Sequence, residues 1–218
     1  MITYIQRIPT MLLTVTLFIV LLYGCVSNQP ELDSFGALPA FDLTDQKGNQ
    51  FSSNNINGKI VLANFIFTNC TEICPVLTPR FKEIQDRLID HKDLYGNVIL
   101  ISISVDPESD TPDVLFDYSL RYGSEYNLWK FVTGETDQVR NLVNKGFMLS
   151  YQKINESFQH IHDDGSVHVH GYNVGHSNRV ALVDMKGQIR AFYSGSEGQG
   201  ETDWDVEKVM SDLRYLAK

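Results

Sequence analysis

Cys70 and Cys74 stand three residues apart, and Pro75 follows the second directly, in the run Thr68-Asn69-Cys70-Thr71-Glu72-Ile73-Cys74-Pro75. The stretch before them, Ile60 to Phe67, is a near-continuous apolar run, which suits a central parallel strand covered on both faces. Pro75 suits the first turn of a helix, where a missing N–H costs nothing. The two thiols therefore belong to a strand-to-helix turn. A helix N-terminus there favours the thiolate, which is both a nucleophile and a metal ligand. Residues four apart on a helix face the same side, so the two sulfurs can hold a soft metal ion between them. An irregular turn would let them close a disulfide instead. A metal site, a redox couple and a buried structural pair all remain open, and location and spacing favour the first two.

Two thiolates underserve a cupric or zinc ion, so a metal site needs a nitrogen ligand from elsewhere. The chain has six histidines: His91, His160, His162, His168, His170 and His176. His91 falls near the expected end of the helix and reads as a solvated or dipole-favoured side chain. His176 lies in Gly171-Tyr172-Asn173-Val174-Gly175-His176-Ser177, just before an apolar strand. The remaining four flank Asp163-Asp164-Gly165 and read as a hairpin. A three-residue loop puts His160 opposite His168 and all four on one face, a possible secondary copper or zinc site. A two-residue Asp164-Gly165 turn slips the register and sends His168 and His170 to the other face. Histidines alternating along a solvated ribbon with no ion are the competing reading. Asp106, Glu108 and Asp110 also suggest a carboxylate site, but their Asp-Pro-Glu turn reads more simply as a cap for the next helix.

The elements that must position these residues follow in order. Phe41–Phe51 reads as a hairpin around Gly48. The strand at 60–67 leads into a helix from Pro75 to about His91, with Pro79 expected to bend or loosen its first turns. A second buried strand spans 98–105, followed by a helix at 114–122, a strand at 129–133 and a helix at 136–147. Residues 148–173 read as extended and less regular. A hairpin of 179–184 and 188–193 precedes a last helix over 203–216, with Thr202 as the expected cap. This order predicts an α/β fold with a thioredoxin-like central sheet flanked by helices. It adds an N-terminal β-hairpin and an inserted extended or hairpin segment at about 148–175. Crossover helices give the parallel sheet its right-handed connections, and the cysteine turn lies at a strand's carboxyl end, where such sheets place ligands. In a thioredoxin-like sheet the loop carrying His176 faces that turn. Ordinary thioredoxins keep a cis-proline there, and this chain has no proline after Pro112.

At the N-terminus, Arg7 precedes an apolar run from Met11 to Tyr23, too short to span a bilayer and suited to a signal-peptide core. Leu21-Leu22-Tyr23-Gly24-Cys25 resembles a bacterial lipobox, which predicts a lipoprotein signal peptide over 1–24 and lipidation at Cys25. A polar tether over 25–38 would then lead to one domain over 39–218. An uncleaved anchor is the alternative, and both place the domain outside the cytoplasm, on the periplasmic or cell-surface side, held to a membrane. Lipid at Cys25 leaves Cys70 and Cys74 as the available pair of the three cysteines. The net charge of −9, with no basic cluster, speaks against a nucleic-acid partner.

The chain resembles the Sco/SenC family of membrane-tethered copper proteins, which assist assembly of the dinuclear copper centre of cytochrome c oxidase. The matching pieces are Gly58-Lys59 with Phe65-Ile66-Phe67-Thr68, Cys70-x-x-x-Cys74-Pro75, Ser104-Val105-Asp106-Pro107-Glu108-x-Asp110-Thr111-Pro112, and Tyr172-x-Val174-x-His176-Ser177. They span essentially the whole expected domain. The resemblance implies that Cys70, Cys74 and His176 are ligands for Cu(I) and Cu(II). It also implies that the client is the oxidase subunit carrying that centre, or another cuproprotein. It departs at Gly175, where the family usually has an acidic residue, and at the histidine-bearing insertion. Two rivals stand beside the metallochaperone reading. One is a thiol–disulfide oxidoreductase using Cys70 and Cys74 on a cuproprotein's cysteines. The other is a thiol peroxidase, disfavoured because Phe67 stands where the threonine of such enzymes usually precedes the attacking cysteine.

Overall fold

The computed structural model describes residues 31–71, 73–154, 158–161, 167–170, 173–176, 178–195 and 204–218, with backbone only between 151 and 176. The expected signal peptide, Cys25, His162 and Thr202 lie outside the described residues. In chain order the elements are β1 (Gly36–Ala37), β2 (Asp42–Asp45), β3 (Gln50–Ser52), β4 (Ile60–Ile66), α1 (Cys74–Asp90), β5 (Val98–Ser104), α2 (Pro112–Arg121) and β6 (Trp129–Thr133). There follow α3 (Thr136–Asn141), β7 (Tyr151–Ile154), β8 (Phe158–Ile161), β9 (Val167–His170), β10 (Asn173–His176), β11 (Arg179–Val183), β12 (Gln188–Ser194) and α4 (Val206–Leu216).

β4, β5 and β6 pair in parallel, and every residue of β4 and β5 is buried. Such strands are largely apolar on both faces, with Asn64, Ser102 and Ser104 as the buried polar exceptions. Antiparallel strands extend the sheet on either side, giving the eight-stranded order β1-β12-β11-β4-β5-β6-β2-β3. One face carries Val61, Ala63, Phe65, Ile99, Ile101 and Ile103, packed with Leu142, Val143 and Phe147 from the stretch that follows α3. The other presents Trp129 and Phe131, against which Phe81 of α1 and Tyr118 of α2 each pack at 5.9 Å between ring centroids. The central sheet thus fixes where α1 begins, and with it the cysteine turn.

The expected N-terminal hairpin forms as β2 and β3, turning through Gly48 at φ +78°. Four places depart from the sequence reading. The expected tether ends early: Phe35 and Leu38 donate backbone hydrogen bonds to Ile189 and Gly187, and β1 between them pairs with β12. The single helix expected over 136–147 is α for one stretch only, because Phe147 N–H bonds to Leu142 and makes 142–146 a π-turn. The last helix starts at Val206 and is capped by Asp205, whose carboxylate accepts from the N–H groups of Glu207 and Lys208. Within 148–175 the described residues form paired strands from Tyr151 on. β7 pairs antiparallel with β10, from Ile154↔Asn173 to Tyr151↔His176, and β8 pairs antiparallel with β9.

Candidate metal centre

β4 ends at Ile66, and a tight turn follows in which Cys70 N–H bonds to the Phe67 carbonyl at 3.0 Å. α1 starts at Cys74 itself, with Pro75 in the first turn and no side-chain cap from Ile73. The first-turn N–H groups of any helix lack intrahelical acceptors. Here the Cys70 sulfur supplies one, accepting from Cys74 N–H at 3.4 Å. Pro79 sits within α1 without interrupting it, although its missing N–H leaves the Pro75 carbonyl without its helical donor.

The two thiols differ in surroundings. Cys74 is buried at 1% exposure, whereas Cys70 is partly open, and both are free thiols. Their mutual hydrogen bond, followed by burial, holds the Cys74 thiol far above the usual thiol range, and the carboxylate of Asp110 adds to the effect. At Cys74 these effects oppose the thiolate preference of a helix N-terminus. An ion held by Cys74 as a thiolate must displace the thiol proton.

Asp110 is the residue that sequence reasoning misplaced. The expected Asp-Pro-Glu cap is not the device that starts α2. Thr111 caps that helix, accepting from Val114 N–H at 3.4 Å. Asp110, fully buried, instead reaches back to the turn before Cys70. It accepts from Thr68 N–H at 3.1 Å, from the Thr68 hydroxyl at 2.5 Å and from the Ser104 hydroxyl at 2.6 Å. Burial raises its carboxyl above the ordinary range, while the Ser104 and Thr68 hydrogen bonds pull in the opposite direction. Asp110 thereby ties the turn after β4 to the end of β5, near enough to Cys74 to act on its thiol electrostatically.

His176 ends β10, opposite Tyr151, and its side chain lies outside the described structure. Two residues later comes Asn178, which meets Gly195. Gly195 donates its N–H to the Asn178 carbonyl at 2.9 Å, and its own carbonyl accepts from Arg80 of α1 at 2.9 Å. A Cβ on Gly195 would stand 2.3 Å from the Asn178 oxygen and 3.3 Å from Leu77 Cδ1. Asn178 therefore runs beside the first two turns of the helix that begins at Cys74. Gly195→Ala is expected to destabilise the domain by about 1–3 kcal/mol, because the contact is with backbone that cannot rotate away. A thermal unfolding midpoint unchanged from wild type would refute this.

Among the described residues, no three metal-ligating side chains converge. His91 is set apart from the cysteine turn: it caps the far end of α1, with Nε2 3.2 Å from Arg214 of α4. His160, His168 and His170 fall on β8 and β9.

Fold and turn together define a class, an α/β protein with two thiols four residues apart after its central strand, one in the turn and one at the first position of the helix. The SCO1/SenC family model matches residues 30–211, and the chain belongs to that family. The SCO1 protein homolog of Bacillus subtilis is 31% identical over 203 residues, covering 93% of this chain and 94% of that protein. BsSco, a member of the Sco family of cytochrome c oxidase assembly proteins with a disulfide switch, superposes with a TM-score of 0.65 at 26% identity, covering 87% and 98% of the two chains. Yeast Sco1 with copper bound gives 0.58 at 26% identity, covering 85% and 90%. The thioredoxin-like sheet read from the sequence is the fold these proteins share.

Proposed function

We propose that this chain carries copper to a cuproprotein, the copper-bearing subunit of cytochrome c oxidase being the first candidate, and holds the ion through Cys70, Cys74 and His176. The observation that carries the reading is the pair of free, hydrogen-bonded thiols at the start of α1. The run through Asn178 beside the same helix adds support, since it brings the chain near His176 towards the thiols. Membership in a family that includes a copper-bound structure and oxidase assembly proteins points the same way. Thiolates favour cuprous copper, and an added imidazole lets the same set accept the cupric ion. Few ligands and one open thiol suit an ion that must be handed on by ligand exchange. A lipid on Cys25 would keep the domain at the outer face of a membrane, where such a client presents its copper site.

A second reading, thiol–disulfide exchange on a cuproprotein's cysteines, is favoured by the same thiol contact and by the disulfide switch of BsSco. His176→Ala separates the two. Cupric affinity of the full chain, read from sulfur-to-copper absorption during titration, is expected to fall at least tenfold, while the rate of dithiol exchange stays near wild type. Retained cupric affinity would remove His176 from the ligand set. If wild type binds no copper tightly but cycles its disulfide readily, the oxidoreductase reading replaces the chaperone.

A further inference from the structure

The ribbon of β8 and β9 carries histidines that the cysteine site does not use. Its ladder sets His160 opposite His168, Gln159 opposite Val169 and Phe158 opposite His170. This is the register of the three-residue loop. Slipped by one residue, it would put His168 and His170 on the face away from His160.

In an antiparallel pair, residues directly opposite share a face, and so do alternate residues of one strand. His160, His168 and His170 therefore occupy one face of the ribbon. Directly opposite positions on one face have Cβ atoms about 4.5–5.5 Å apart, and diagonal ones about 7–8 Å. Three imidazole-bearing positions thus fall within one short patch of backbone, two across the ladder and the third one step along β9. His162 lies outside the described residues. We propose that this patch binds one divalent first-row transition ion, Cu2+ or Zn2+, through His160, His168 and His170.

The chemistry of the set distinguishes it from the cysteine site. Neutral imidazole suits cupric and zinc ions, and the order of stability puts Cu2+ above Zn2+. With no thiolate present, the patch gives no special preference to cuprous copper. His176 is six positions beyond His170, so the chain can hold these positions no more than about 22 Å apart. The proposal does not depend on the ligand assignment at the cysteines.

The test uses the full chain carrying Cys70→Ser, Cys74→Ser and His176→Ala, titrated calorimetrically with Cu2+ and separately with Zn2+. One ion per chain at micromolar affinity is expected, with nitrogen-only hyperfine structure in the electron paramagnetic resonance of the copper form. Adding His160→Ala, His168→Ala and His170→Ala should remove that ion. No binding before the histidines are changed, or binding that survives their loss, overturns the proposal. A complementary measurement places the three histidine changes alone in the wild-type chain. Copper stoichiometry should fall by one while sulfur-to-copper absorption is retained. Unchanged stoichiometry there also overturns the ribbon site, whereas an absence of sulfur-to-copper absorption in the unsubstituted chain bears on the cysteine reading alone.

Discussion

Cys70→Ser and Cys74→Ser are each expected to weaken cuprous binding by the full chain at least a thousandfold, about 4 kcal/mol. A hydroxyl is a hard, protonated oxygen at neutral pH and does not replace a thiolate on a soft ion. Competition against a chromophoric cuprous chelator measures the loss, and affinity retained within a few-fold in either variant would break the assignment. The two changes should part company in stability. Cys70 is partly open, and its sulfur accepts from Cys74 N–H, a role a serine oxygen can take over, so its substitution should leave the unfolding midpoint nearly unchanged. Cys74 is buried at 1% exposure, and a serine there brings a polar hydroxyl into a site shaped for sulfur. That costs about 1–3 kcal/mol unless the hydroxyl finds a partner.

Asp110→Ala is expected to be the most destabilising single change near the site. It removes the acceptor for the Thr68 N–H, the Thr68 hydroxyl and the Ser104 hydroxyl at once, with Ser104 buried and Thr68 half-buried. A buried donor left without a partner costs about 1–3 kcal/mol, so a total near 3–5 kcal/mol is expected in chemical denaturation. Thr68 lies two residues before Cys70, so copper affinity should fall along with stability. Asp110→Asn keeps one acceptor oxygen and should lose less. The sign of its pH dependence follows from the raised carboxyl: the fold favours the protonated acid, and that contribution is lost as pH rises through the folded-state value. Above it the wild type carries a buried charge that Asn lacks, so the gap between the two should narrow with rising pH. A gap that widens, or an Ala variant as stable as wild type, would refute the account.

The parts of this fold written in local pattern were readable before any coordinates. The continuous apolar runs ending at Ile66 and Ser104 became the paired parallel strands β4 and β5, and Cys70 and Cys74 fell at the turn those strands require. What resisted reading depended on contacts distant in sequence or on choices among near-equal neighbours. Nothing local to Asp110 announces a bond to Thr68, 42 positions away. An acidic residue before Thr111-Pro112 looks like part of a helix cap, and only the closeness of the β4 and β5 ends turns it inward. At the last helix, Thr202, Asp203 and Asp205 are all capable caps. Burial of Val209, Met210 and Leu213 fixes the helix, and Asp205 is the one that reaches its free N–H groups. The π-turn at 142–146 carries the same apolar spacing as an ordinary helix. Residues 35–38 look like linker because their order comes from the backbone of β12 rather than from their own side chains.

The two-residue β1 at one border of the sheet and the three-residue β3 at the other bear on how copies of this chain meet. A sheet border is a row of unsatisfied peptide groups that invites a strand from another molecule, and the invitation grows with the length of straight backbone on offer. In the eight-stranded sheet the long strands β4 and β5 are interior, while β1 covers only Gln188 and Ile189 of β12. The two longest parallel strands of that sheet are thereby kept out of reach of a second copy of the chain.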